Sequence, residues 1–224
     1  MDYSPIIISL RTASVSIVVT FFLGLAAARF VNEMRSEKLK VLIDGVFTLP
    51  MVLPPTVAGF FLLYIFGVKR PIGEFFLHFF AVKIAFSWWA TVLAAVVISF
   101  PLMYRSARGA FEQVDMNLIY AGRTLGMSEW KIFRKVLMPN AMPGILSGAI
   151  LAFARGLGEF GATAMIAGNI AGKTRTLPIA VYSAVAAGDM SLAYRYVIIL
   201  VLISFIIIAF MNYATDVGKR GRIR

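Results

Sequence analysis

Cysteine is absent from the 224 residues, and histidine occurs once. Without thiols there is no disulfide and no thiolate-held metal ion, although that says little about compartment. Charge is scarce as well, at 15% of the residues, against about a quarter in ordinary soluble domains. Only eleven residues are acids, nearly all of them between apolar runs, so paired carboxylates for acid–base catalysis have nowhere to assemble. No His-Glu-x-x-His, Gly-x-Ser-x-Gly or phosphate-loop pattern occurs. These absences argue against an enzyme and against a resident metal. There is also no repeat, low-complexity tract or linker, so the chain reads as one domain over 1–224. Asp2 and Arg11 bracket a short apolar run with no small-residue cleavage site, which does not fit a removed signal peptide.

What the chain has in abundance is apolar surface, with 60% of its residues hydrophobic. Five stretches are long enough for a bilayer core of about 30 Å, which takes about 20 helical residues. They run approximately over 6–30, 46–66, 84–104, 141–157 and 196–213. The runs are continuous rather than alternating, so they predict an all-α integral membrane fold and not a barrel. The net charge of +11 is unevenly placed. Segments 29–43, 105–139 and 219–224 hold fourteen Lys and Arg, while Lys69, Arg70, Lys83, Lys173 and Arg175 fall on the other side. This is the signature of a multi-pass membrane protein with the richer side cytoplasmic, not of a nucleic-acid binder. The N-terminus is then outside and the C-terminus inside, with KRGRIR as an interfacial tail. An apolar run after Thr176 is too short to cross and predicts a re-entrant or external helix.

The loop over 105–139 has its own pattern. Phe111, Val114, Leu118, Ala121 and Leu125 recur at helical spacing, Gly126 can end that helix, and Ser128 can cap a second. Trp130, Phe133 and Leu137 form a second stripe, which Pro139 is expected to stop. The result is a two-helix knob outside the membrane. Beyond it, Gly144, Gly148, Ala152 and Gly156 make a small-residue ridge for close helix packing. Whether that ridge packs within the subunit or across a dimer is open.

Pro50, Pro54 and Pro55 predict a break in the second span, either a cavity-lining segment or a kink in a packed bundle. Arg155 and Glu159 stand four apart, within reach on one helix face. Two readings stand: a local ion pair at a helix end, or a gate over 156–187 in which Glu159 braces, Gly158 and Gly161 bend, and Phe160 plugs. For a passing oxyanion, backbone donors and the hydroxyls of Thr163 or Thr176 suit better than an acid. Asp44 is expected to cap the second span, with pairing to an arginine as the alternative. Trp88 and Trp89 read as interfacial anchors. His78, in the external loop 67–83, is given no role.

The series Ala121, Gly126, Val136, Met138 and Pro139 resembles the EAA loop of permease subunits of ATP-binding cassette importers. The chain departs from that pattern at Tyr120, Gly122, Val136 and Met138. ARGLGEFGATAMIAGN at 154–169 and GKTRTLP at 172–178 are similar to the molybdate/tungstate branch, as are LPMVLPPTVAG at 49–59 and AFSW at 85–88. The resemblance implies that Ala121, Gly122, Arg123, Thr124, Leu125, Gly126, Ser128, Trp130 and Pro139 couple to a cytoplasmic ATPase. It also implies a homodimer in the cytoplasmic membrane, two ATP-binding cassette ATPase subunits and an extracytoplasmic oxyanion-binding protein. The subunit itself would bind no cofactor, with ATP and Mg2+ held by the ATPase. The same machine carrying sulfate or thiosulfate is the nearest alternative. A secondary transporter would need midplane carboxylates and internal repeats, and neither is present.

Overall fold

Residues 2–220 are described by a computed structural model, with side chains described through Tyr213. Every regular element among them is helical. Three helices form the packed centre: α1 (Ser4–Asn32), α5 (Trp88–Glu112) and α8 (Met138–Leu157). Their contact faces are small, and in lipid close backbone approach is what holds helices together. A Cβ on Gly24 of α1 would sit 2.6 Å from Met103 Cγ, one on Gly144 2.8 Å from Ala110 Cβ, and one on Gly148 2.8 Å from Ser106 Oγ. Gly156 faces Ser16 and Ala95 at ordinary contact distance, and Ala152 is buried in the same core. The ridge on α8 is therefore used within the subunit.

Hydroxyls stitch α1 to α5 along the buried seam. Thr12 Oγ1 meets Thr91 Oγ1 at 2.8 Å and Thr20 Oγ1 meets Ser99 Oγ at 3.1 Å. Such bonds stabilise helix pairs in membranes by about 0.6–2 kcal/mol each.

The second apolar stretch is two helices. α2 (Glu37–Val52) and α3 (Pro55–Phe66) meet at 112° across Leu53 and Pro54. Pro50 lies inside α2 without ending it; the break falls at the Pro54–Pro55 pair, where consecutive residues lack donors. Among the described residues, four helices are long and apolar enough to cross a bilayer, or five with the bent pair taken as one span. Segment 67–83, expected as a loop, contains α4 (Pro71–Phe80), with His78 in its last turn. The third span begins at Trp88 rather than near residue 84, because Phe86 takes a left-handed turn at φ 56° and its N–H donates to Ile166 O at 3.0 Å. The short run after Thr176 is α10 (Leu177–Ala186), and the last helix, α11, covers Met190–Arg220. The basic tail at 219–224 lies outside the described side chains.

Candidate functional site

At one end of the bundle the chain between α5 and α8 builds a knob. Asp115 accepts from Asn117 N at 2.9 Å and starts α6 (Met116–Thr124). Gly126 ends it at φ +71°, with Met127 N donating to Gly122 O and Gly126 N to Arg123 O. That pair of bonds is a Schellman closure, which requires the left-handed residue. Ser128 then accepts from Lys131 N and caps α7 (Glu129–Ile132). Arg123 clamps Glu129 with two bonds of 2.8 and 3.2 Å across the turn. Gly122 is the contact point of the two helices, since a Cβ there would sit 3.1 Å from buried Ile132.

The expected single helix through residues 111–125 is not formed. Phe111 closes α5, Val114 is buried in the break, and Leu118 and Ala121 lie on α6. Leu125, 79% exposed, and Trp130, 60% exposed, point away from the core. The capped knob thus carries large apolar side chains that this subunit leaves uncovered. Arg29 at the end of α1 stacks over Phe133 at 4.1 Å and holds the knob against the bundle.

Pro139 does not stop the second helix. Chain from Glu129 continues to Leu157 through one widened π-helical turn, Phe133–Leu137, and Pro139 sits in the first turn of α8. A π turn shifts the bonding register by one residue, which absorbs a missing donor without breaking the rod. The knob and α8 are thus one mechanical piece.

At the far end of α8 the chain folds back. Arg155 donates to Glu159 Oε2 at 2.8 Å, and Glu159 Oε1 accepts from Ala162 N at 2.8 Å. The carboxylate is buried, its residue 2% exposed, and it joins the end of α8 to the first turn of α9 (Gly161–Ile166). α9 lies against the broken span. A Cβ on Gly161 would be 3.0 Å from Pro55 Cβ, and one on Gly59 would be 2.7 Å from Ala162 Cα. Pro55, Arg155, Glu159, Gly161 and buried Thr163 therefore form one cluster, with Pro54 at the adjoining bend. Pro50 stands apart inside α2. Phe160 packs on Tyr182 of α10 at 5.2 Å. Thr176, at the head of α10, buries a hydroxyl that has no hydrogen-bond partner, next to Leu177 N, which donates to Ser9 Oγ.

Between the two ends, α8 shows an unusual outer face. Asn140, Gly144 and Ser147 are exposed and Arg155 is half-buried on the same stripe, with Leu146 and Leu151 as the exposed apolar residues of the helix. The exposed face of α11 is instead Val201, Leu202, Phe205, Ile206 and Phe210. Large apolar residues suit lipid, whereas small and polar ones suit water or another protein surface.

The residue pattern did not reveal the role of Asp44. Ser36 caps α2, and Asp44 lies within it, accepting from Tyr104 OH at 2.8 Å and from Arg108, which also binds Glu112. Capping is overturned and the arginine pairing holds. The signal was present in Tyr104 and Arg108, one turn apart on α5.

The model of the family described as "Binding-protein-dependent transport system inner membrane component" matches residues 20–217. The chain belongs to that family. Among relatives, this permease is 39% identical to the molybdenum transport system permease protein ModB of Escherichia coli K12, over 97% of this chain and 95% of that one. It is 42% identical to the protein of the same name from Haemophilus influenzae, over 82% of this chain and 80% of that one. Its fold matches a chain of the methionine ABC transporter MetNI in an inward-facing form, with TM-score 0.73 at 20% identity, over 97% of this chain and 94% of that one.

Proposed function

We propose that this permease is the membrane-spanning subunit of an ATP-driven importer that carries molybdate or tungstate across the cytoplasmic membrane. The observation that carries the reading is 39–42% identity, over most of the chain, to relatives named for molybdenum transport. That name also weighs against sulfate as cargo. The subunit works as a homodimer, with an ATPase seated on each knob and an extracytoplasmic binding protein delivering the oxyanion. ATP and Mg2+ belong to the ATPase. The end bearing the knob is cytoplasmic, the N-terminus outside and the C-terminus inside.

The geometry supports a lever. An ATPase gripping Leu125 and Trp130 moves the knob, and the unbroken rod from Glu129 to Leu157 carries that movement to Glu159 and α9. The small, polar face of α8 lines the path, and contacts along it are weak enough to release a dianion. Coupling of this kind needs the nucleotide-bound ATPase to favour one state by a few kcal/mol.

With no native cysteine, single replacements test the path directly. A cysteine at Ser147 is expected to react with a charged, water-soluble thiol reagent, more slowly when molybdate and the partner proteins are present. One at Phe205 is expected to stay inert. Equal reactivity at both positions, or none at Ser147, would remove α8 from the path.

A further inference from the structure

A trough lies in the flank of the bundle, apart from the knob. It is a cavity of about 540 Å³ between α1, the end of α3, α4 and α5, and among its lining residues are Leu23, Phe66, Phe80, Ile84, Trp89 and Val96. Apart from the Trp89 indole, no side chain around it has a polar atom. Along α5 it runs from Trp89 to Val96, about 10 Å at 1.5 Å per residue, roughly a third of a hydrocarbon core of about 30 Å. At its Trp89 end, Trp88 packs beside Trp89 and Arg11 stacks on Trp88 at 4.1 Å. Tryptophan and arginine at one level mark the headgroup boundary.

The strap that closes this trough is strained. Ala81 and Phe86, at φ 52° and 56°, are the two non-glycine residues with positive φ among the described residues, and they bracket 82–85. Left-handed backbone at such residues costs about 1–3 kcal/mol and persists where the surroundings impose it. Here it turns Val82 and Ile84 into the trough and leaves Lys83, between them, exposed. The far end of the strap is pinned to α9 through Phe86 N and Ile166 O.

We infer that this trough is a binding site for an anionic phospholipid, one acyl chain lying in the groove and the phosphate at Lys83. A neutral lipid fills the groove equally well but leaves the lysine unanswered. A second copy of the chain would have to bring an apolar ridge together with an acid at one position, and acids are scarce in this sequence.

Trp89 reports on the site. The full-length chain carrying Trp88→Phe and Trp130→Phe, reconstituted in phosphatidylcholine vesicles, keeps it as the sole tryptophan, since the chain has three. Phosphatidylglycerol with brominated acyl chains is added at a minor fraction. Quenching is expected to exceed that fraction, and Lys83→Gln is expected to reduce the preference about fivefold, the factor for one lysine at an anionic surface. Brominated phosphatidylcholine at the same fraction should quench only in proportion. Proportional quenching by both lipids, or a preference unaffected by Lys83→Gln, overturns the inference. Absence of Trp89 quenching by both lipids would mean that protein covers the trough, and overturns it as well.

Discussion

Replacing Glu159 with alanine should free α9 from the end of α8 without dismantling the bundle. The side chain makes two bonds, one to Arg155 and one to Ala162 N. A hydrogen bond to a charged group contributes about 1.5–3 kcal/mol. The Arg155 side chain is 36% exposed, so solvent cuts its share to about 0.5 kcal/mol, while the buried bond to Ala162 N keeps about 1.5–2.5 kcal/mol. The two together then hold α9 to the end of α8 by about 2–3 kcal/mol. If opening breaks both, their loss raises the open population about 30- to 150-fold. Glu159→Gln keeps an acceptor for Ala162 N and loses only the charge, so about fivefold is expected from about 1 kcal/mol. The assay is leak of labelled molybdate from proteoliposomes without ATP, run on protein that still co-purifies with its ATPase. Leak should rank alanine above glutamine above wild type. Equal leak in all three, or glutamine as leaky as alanine, would refute the brace and leave a local ion pair at the helix end.

Three further outcomes follow from the geometry. Gly148→Ala should lower stability by about 1–3 kcal/mol through overpacking on Ser106, and Ser106→Gly should restore most of it; denaturation in SDS measures both, and no rescue would mean that the ridge meets something else. Leu125→Asp or Trp130→Ala should weaken ATPase co-purification at least about 30-fold, as expected of a central apolar anchor worth about 2 kcal/mol, while leaving the thermal midpoint unchanged; intact binding would misplace the docking surface. The Asp2 carboxyl, which accepts two bonds from Ser4, is held below its ordinary range. Its contribution to the first turn of α1 is therefore full above the usual carboxylate value of about 3.9 and is lost as pH falls through the depressed one. Amide exchange over that turn should show this loss, and Asp2→Asn should abolish the pH dependence.

The apolar runs, the proline break and the glycine that turns the knob were all legible in the sequence because each has a local cause. Gly126 needs only its own φ, and Pro54 and Pro55 only their missing donors. What was not legible depends on partners distant in the chain. Asp44 looked like a cap because position alone was visible, yet its partners are 60 and 64 residues away. Pro139 looked like a stop because a proline inside a helix usually is one; the π turn that accommodates it has no composition signal. The ridge on α8 was plain as a pattern, but its partner required knowing that α5 brings Ser106 and Ala110 beneath it. At the far end of α8, the pairing of Arg155 with Glu159 follows from spacing. The contact of Gly161 with Pro55 joins two segments about a hundred residues apart and could only come from the fold.

The most direct test of the whole account is uptake. Proteoliposomes containing this permease, its ATPase and its binding protein, loaded with ATP, would be offered labelled molybdate, tungstate and sulfate. ATP-dependent accumulation of molybdate or tungstate, with sulfate left outside, is the expected result. Accumulation without ATP or without the ATPase would contradict the account.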